Sequence, residues 1–371
     1  MARFGTKDGR GRRAACAALA LCAGLLPALA QDKTVNIYNW NDYIDPQVLT
    51  DFTKETGIKV IYDLYDNNEI VETKLLAGKS GYDIVVPSGP FLQRLIAAGA
   101  FQKLDRSKLR NTGNIWPEIA RNLAIYDPGN QYAVNYLWGT VGIGVNVAKV
   151  KAALGGDIPQ SWDLVFKPQV ISKLKPCGVY VLDAPEDVFP AALRYMGLDP
   201  NTKKQDDIVK AGDMLARVRP NIRKFQSSEY INALAAGDIC MVLGYSGDIL
   251  QAKKRAEEAK NGAEIAFIIP KEGAQMGFDS MAIPVDAPNA ANAHAFIDFV
   301  LRPDIAAKIT NFVVYANGNS ASRPEIKPEI LANPGVYPDA ATFARLFTTI
   351  PYDDKIQRVV TRVWTRVKTG R

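Results

Sequence analysis

Residues 35–62 read VNIYNWNDYIDPQVLTDFTKETGIKVIY, and this stretch decides the fold. Residues 35–40 form an apolar run of strand length that breaks at Asn41-Asp42. Residues 46–56 have helical spacing, with Pro46 at an early position and Gly57 past the end, the asymmetry expected of a helix. Residues 58–62 return to strand. Working outward, residues 69–76 are helical and stop at Gly78, residues 83–86 are a short buried strand, and Pro87-Ser88-Gly89-Pro90 is a hard turn. Residues 91–98 are helical and end at Gly99. This β-α-β-α-β-α run predicts an α/β fold with a mostly parallel sheet and helices on both faces.

A second alternation follows. A helix is predicted over 227–236, a strand over 239–243 and a glycine-rich turn over 244–247. A polar helix over 248–260 and a strand over 265–269 come next, and residues 340–367 are mostly helical. No repeat of fixed period and no low-complexity segment interrupts the pattern.

The start of the chain sets the compartment. Arg3, Lys7, Arg10, Arg12 and Arg13 precede an apolar run over 14–26 and the small-x-small triplet Ala28-Leu29-Ala30. Residues 1–30 therefore read as a secretory signal peptide, because the run falls short of the ~20 apolar residues of a membrane span. No second run of spanning length follows, so no membrane insertion is expected. Loss of that segment, with its five basic residues and Asp8, lowers the formal charge from +6 to +2. A near-neutral exported chain has no electrostatic case for nucleic acid or a membrane surface.

Cys16 and Cys22 leave with the signal, and Cys177 and Cys240 remain. An even pair in an oxidising compartment is either a disulfide or two buried thiols. A bridge would close a loop worth ~3–4 kcal/mol in the chain-entropy view. The remaining length exceeds one hydrophobic core, so two lobes are expected. His294 is the only histidine, in a helical pattern that suggests packing. Zinc sites and histidine triads are thereby excluded, and no metal or cofactor is expected.

Three short motifs resist a catalytic reading. Gly142-Ile143-Gly144-Val145-Asn146 is half a dinucleotide fingerprint without its third glycine, and reads better as a strand crossing between lobes. Gly244-Tyr245-Ser246-Gly247-Asp248 nearly matches a nucleophile elbow, but Asp248 replaces the final glycine and no histidine is placed to serve it. Glu186-Asp187 and Asp353-Asp354 are adjacent acids that point apart, for which surface solvation is the ordinary reason.

The loops past strand ends are more informative, because ligands of open parallel sheets bind there. Trp40 and Asp42 flank Asn41 at the first strand end. Tyr245 and Asp248 lie at another, and Phe278-Asp279 precedes an apolar run. Aromatic faces with several carboxylates suit an elongated organic cation, whose ammonium groups need ionised partners out of water and whose methylenes lie against rings. Each aspartate has a helix cap or turn as its rival role, and Trp40 has core packing.

At these residues the chain resembles a family. The carrying stretches are Ile37-Tyr38-Asn39-Trp40-Asn41-Asp42-Tyr43-Ile44, Gly81-Tyr82-Asp83-Ile84-Val85-Val86-Pro87-Ser88, Ser161-Trp162-Asp163-Leu164 and Leu182-Asp183-Ala184-Pro185-Glu186. Gly237-Asp238-Ile239-Cys240, Pro270-Lys271-Glu272-Gly273-Ala274 and Tyr315-Ala316-Asn317 continue the series in order. Together they resemble the periplasmic polyamine-binding proteins of ABC importers, most of all the putrescine-binding branch, from about Val35 to the C-terminus. The resemblance implies a two-lobed periplasmic-binding-protein fold of type II with ligand in the cleft between lobes. It places one lobe at 31–138 plus 267–316 and the other at 139–266 plus 317–371. It implies a monomeric periplasmic receptor, not an enzyme, that delivers a di- or polyamine to a membrane permease.

The resemblance also assigns roles. Trp40 is similar to the aromatic wall, Asp42 to a carboxylate on one ammonium and Ser88 to a hydroxyl contact. Asp248 and Asp279 resemble the carboxylates on the amine nitrogens, Tyr315 resembles a further wall, and Cys177–Cys240 matches the family's cysteine pair. Five positions depart from the putrescine pattern, one being Pro90, where the family often has a small polar side chain. Asn41 stands for a serine, Asp187 for a glutamate, Tyr245 for a tryptophan and Gly277 for a phenylalanine. The ligand set is thus Trp40, Asn41, Asp42, Ser88, Asp187, Tyr245, Asp248, Asp279 and Tyr315, in a roomier pocket that admits spermidine, agmatine or another guanidine as alternatives to putrescine. A receptor feeding a signalling partner is the other reading that sequence leaves open.

Overall fold

The computed structural model describes residues 33–370; the signal segment read at 1–30 lies outside the described residues. Ten strands occur among them: β1 (Thr34–Trp40), β2 (Lys59–Tyr65), β3 (Ile84–Val85), β4 (Ala133–Asn146), β5 (Val179–Val181), β6 (Lys224–Phe225), β7 (Met241–Tyr245), β8 (Ile265–Ile268), β9 (Met276–Ala282) and β10 (Ala316–Asn317). Their order is β2-β1-β3-β9-β4-β7-β5-β6, with β8 and β10 also on β4. The β1–β2, β1–β3, β5–β7 and β5–β6 pairs are parallel, and β4 and β9 run antiparallel to their neighbours. The α/β class with helices flanking the sheet is as expected, and the sheet is mixed, with four parallel and five antiparallel strand pairs among the described residues.

Local chemistry explains the first unit. Helix Pro46–Thr56 starts where the Asp45 carboxylate accepts the Gln47 N–H at 2.9 Å, and ends where Gly57 turns left-handed at φ 70°. Both caps satisfy backbone groups that the helix cannot. Val48 and Phe52 face inward, one turn apart. Along β1, Val35 and Ile37 enter one cluster with Phe52, Phe296 and Ile297, whereas Tyr38 enters another with Leu92, Trp138 and Phe278. Alternate residues of a strand address opposite faces, so this sheet is covered on both sides.

The 14-residue β4 divides the architecture. Ala133–Thr140 pairs with β9, and its continuation from Val141 pairs with β7 and β8. Hence one strand runs from the first sheet region into the second, where a separate cluster includes Trp162, Phe166, Phe189 and Leu243. The Gly142/Gly144 pair has a packing reason. A Cβ on Gly142 would lie 2.5 Å from the Phe267 ring, and one on Gly144 would lie 2.7 Å from Ile249 Cγ1. The motif therefore lets neighbours press on the crossing strand.

Three expectations are revised. The stretch 244–247 is no turn: Gly244 and Tyr245 end β7, and Ser246 begins helix Ser246–Ala259 directly. The second strand runs on to Tyr65. The tail is helical only over Ala340–Phe343 and Asp354–Thr369, because Pro351 disfavours a helical residue before it and Asp353 caps a fresh start by accepting the Ile356 N–H. His294 is buried, and its Nε2 accepts the Asp105 N–H at 2.9 Å. No helix of the described residues is long and apolar enough to cross a membrane.

Cys177 and Cys240 form a disulfide with Cα atoms 5.4 Å apart and a sequence separation of 63. It ties the start of β5 to the start of β7 inside the second cluster. Replacing both cysteines by alanine should lower the unfolding free energy by about 4 kcal/mol in denaturant titration. A loss under 1 kcal/mol would mean that the loop is already restrained in the unfolded chain.

Candidate functional site

The loops past β1, β3 and β7 converge on one cavity where β4 crosses between the clusters. The cavity holds about 90 Å3 of space for the centres of water-sized spheres. Trp40, Asn41, Ser88, Asp187, Tyr245, Asp248, Asp279 and Tyr315 all line it. Asp42 does not. It takes a left-handed backbone at φ 53°, points to the rim and pairs with Arg255 at 2.8 Å, nearly half exposed. The turn that presents Trp40 and Asn41 inward rotates Asp42 outward, so this one family-implied ligand belongs structurally to the rim.

Three carboxylates dominate the interior, and each is held by two neutral donors. Asp279 accepts from the Tyr43 hydroxyl at 2.6 Å and from Ser88 Oγ at 2.7 Å. Asp248 accepts from Tyr230 at 2.6 Å and Tyr315 at 2.8 Å. Asp187 accepts from Tyr245 at 2.7 Å and from Gln275 Nε2 at 2.7 Å. Asp187 and Asp248 are only 7% and 8% exposed. No lysine, arginine or histidine is among the residues lining the cavity.

Removal from water disfavours the charged form of each acid. Burial pushes Asp187 up to about 7, against the hydrogen bonds from Tyr245 and Gln275 and helped by the Asp279 charge. Burial likewise raises Asp248 and Asp279 to about 6, with their paired hydroxyl donors holding them lower than burial alone would. The phenols of Tyr43, Tyr230, Tyr245 and Tyr315 are raised well above their usual range by burial and by the carboxylates beside them. They stay protonated and act as donors.

Asp248 escapes the capping role that its sequence position allowed. It is the third residue of its helix, and the preceding cap position makes no side-chain bond. Trp40 likewise lines the cavity, with its indole N–H on the Val86 carbonyl at 2.9 Å and its ring 4.6 Å from that of Tyr65. Asp187 is buried and Glu186 half-buried, so neither is the fully solvated acid that the sequence suggested. Both line the cavity at the start of helix Pro185–Tyr195, and burial followed by the Glu69 charge raises Glu186 well above the usual range.

Several residues that build the site escaped sequence reasoning. Tyr43, Tyr230 and Gln275 position carboxylates, and Thr140 lines the wall from β4. Only Tyr43 carried a signal, since it sits inside the first-strand loop. Tyr230 and Gln275 are remote in sequence from the acids they hold.

A family model described as bacterial extracellular solute-binding protein matches residues 47–337. The putrescine-binding periplasmic protein PotF of Escherichia coli K12 is 52% identical over 95% of this chain and 97% of its own. The putrescine-binding periplasmic protein SpuD of Pseudomonas aeruginosa is 51% identical over 94% of this chain and 95% of its own. A putative spermidine/putrescine ABC transporter structure from Listeria monocytogenes superposes with a TM-score of 0.82 at 30% identity, covering 91% of this chain and all of that one. The two-lobed periplasmic-binding-protein fold is thus shared, and the chain belongs to the bacterial extracellular solute-binding proteins.

Proposed function

We propose that the protein is a periplasmic receptor that binds a di- or polyamine and delivers it to an ABC permease. One observation carries this reading: Asp187, Asp248 and Asp279 converge on a cavity that no cationic side chain lines. Neutral donors orient these acids but leave their charge uncompensated, and a buried charge calls for an opposite one. A ligand with separated ammonium groups supplies it, with its methylenes against Trp40, Tyr245 and Tyr315. An anion or an amino-acid carboxylate would want arginine or a helix N-terminus in place of these aspartates. The names of the relatives favour putrescine or a close analogue.

The lobes meet across this site. We assign 33–138 plus 267–316 to the first lobe and 139–266 to the second. Residues 317–346 join the first, since Ile326, Ile330 and Val336 pack in the cluster of Tyr38 and Trp138. The final helix joins the second through Val359, Val363 and Trp364. On this division Tyr315–Asp248, Gln275–Asp187 and Arg255–Asp42 bridge the cleft. Ligand entry parts them, and closure around a cation restores them.

Thermal unfolding against putrescine, cadaverine, spermidine, spermine, agmatine, γ-aminobutyrate, arginine and a neutral sugar tests the reading. At 1 mM, an amine bound with micromolar affinity adds about 4 kcal/mol of stability. Stabilisation by amines alone is expected, and none by any amine would overturn the proposal. In the same assay Asp279→Asn should weaken amine binding by about 2–5 kcal/mol, because a buried ammonium loses its charged partner.

The site should also cost stability when empty. The folded Asp187 titrates at about 7 against an ordinary 3.8. A raised carboxyl loses stability as pH climbs between those two values. Ligand-free Asp187→Asn should therefore be more stable than the unaltered protein by about 2 kcal/mol at pH 8. The gap should close as pH falls from 7 toward 4 in denaturant titrations. A gap independent of pH would assign the effect to packing instead.

A further inference from the structure

We infer that the β-bulge at Asn135–Leu137 aims Asp279 into the cavity, with Tyr136 as a positioning residue that acts through Tyr43. The consequence for ligand binding rests on the amine-receptor reading above; the placement of Asp279 does not.

The bulge follows from the strand pairing. On β4, Ala133, Val134 and Asn135 pair with Ala282, Met281 and Ser280, whereas Leu137, Trp138 and Gly139 pair with Asp279, Phe278 and Gly277. Tyr136 is the extra residue. One extra residue reverses the alternation of a strand beyond it. Tyr136 and Leu137 consequently both enter the cluster of Val134 and Ile37, while Trp138 enters that of Ala133 and Phe278. In an unbroken register Tyr136 would stand opposite Asp279. Leu137 stands there instead, and Tyr136 is free to reach the loop past β1. Asn135 holds the irregularity in place. It is buried, and its Nδ2 donates to the Leu137 carbonyl at 3.0 Å and to the Asp279 carbonyl at 3.2 Å. A broken ladder leaves backbone acceptors of this kind to be satisfied by side chains.

Tyr136 is buried and is not among the residues that line the cavity. Its hydroxyl donates to the Tyr43 carbonyl at 2.6 Å, and the two rings meet edge-on with centroids 5.5 Å apart. Tyr43 in turn donates to Asp279 Oδ2 at 2.6 Å. The Tyr43 ring also packs edge-on against Tyr315 at 4.9 Å, and Tyr315 donates to Asp248. Tyr43 lies between β1 and the first helix, so no ladder or helix fixes it. A hydroxyl on such a loop keeps its hydrogen-bond geometry only if the loop is anchored, because the bond weakens steeply with angle. The bulge supplies the anchor from the same strand that pairs with Asp279. Donor and acceptor are thereby referred to one strand pair.

The titratable groups around Asp279 are Asp187 of the same cavity and the phenols of Tyr43, Tyr65 and Tyr136, with Asp248 beyond Tyr43. Burial raises all three phenols well above their ordinary range, so Tyr43 remains a donor. Its bond, with that of Ser88, holds Asp279 at about 6, below where burial alone would take it. A misdirected Tyr43 hydroxyl therefore lets the Asp279 carboxyl rise.

Carbon-13 NMR titration of the ligand-free, aspartate-labelled protein is the test, with the Asp279 carboxyl assigned from Asp279→Asn. In Tyr43→Phe, Asp279 should titrate about one pH unit higher, the size expected for a lost hydrogen bond to a charged group. Tyr136→Phe keeps its ring and touches neither the carboxylate nor the cavity, yet should raise Asp279 by a similar amount. The double variant should rise no further, because both changes act through one bond. Putrescine affinity, read by calorimetry, should follow the titration. With Asp279 raised one pH unit from about 6, Tyr136→Phe should bind about fivefold more weakly than the unaltered protein at pH 6 and within about twofold of it at pH 8. An unmoved Asp279 in Tyr136→Phe, or a double variant that rises by the sum of the two, would overturn the inference. An affinity loss of equal size at both pH values would do the same, by assigning Tyr136 to packing. Should Tyr136→Phe fail to fold, Asn135→Ala spares both phenols, releases the Asp279 carbonyl and carries the same expected rise. If the unaltered protein binds no putrescine, the receptor reading fails, and the titration of Asp279 still decides this inference.

Discussion

The structure is organised around negative charge withdrawn from water without a resident counter-ion. Removing a single carboxylate from water is costly, and burying several together is more so. The chain meets this cost with dipoles. Four phenols, one serine hydroxyl and one amide each point a hydrogen at Asp187, Asp248 or Asp279. These dipoles keep the acids oriented and lower their pKa values from where burial alone would take them. They do not cancel the charge. A lysine or arginine would have cancelled it, and would then have occupied the ligand's place. The nearest such partnership, Arg255 with Asp42, is held out at the rim.

That arrangement demands donors from distant parts of the chain. Tyr43 reaches Asp279 across 236 residues, and Gln275 reaches Asp187 across 88. The crossing strand β4 makes this possible, because it fixes both sheet regions to one line. Close backbone approach sets the remaining angles. A Cβ on Gly247 would fall 2.0 Å from the Tyr315 ring, and one on Gly139 would fall 2.9 Å from Ser246 Oγ. Only glycine lets helix Ser246–Ala259 and β4 close on that ring, which in turn places the Tyr315 hydroxyl on Asp248. Gly247 of the apparent nucleophile elbow thus serves packing around an aromatic wall.

Much of this was legible in sequence because it is local. The first β-α-β-α-β-α run is written in apolar runs, Pro46, Gly57 and Gly78, all of which act within a few residues. The acids at strand ends were legible for the same reason. Asp42 was misplaced because its orientation depends on one left-handed residue, which spacing cannot reveal. Glu186-Asp187 looked solvated because neighbouring acids usually are. The burial of Asp187 depends on Tyr245 and Gln275 reaching it from distant parts of the chain. Tyr230 and Gln275 carried no local signal at all, since what defines them is the carboxylate each one meets through the tertiary fold.

The choice of phenols as donors has a consequence for how the site handles protons. Burial and adjacent charge push Tyr43, Tyr230, Tyr245 and Tyr315 well above their ordinary range. They cannot share a proton shift with the acids near neutrality. All titration in that range therefore falls on the carboxylates, near 7 for Asp187 and near 6 for Asp248 and Asp279. A cation entering the cavity favours their charged forms and draws protons out of the site. Binding a cation and releasing protons are then one event, and the same burial that makes the empty site costly makes its affinity for a cation rise with pH.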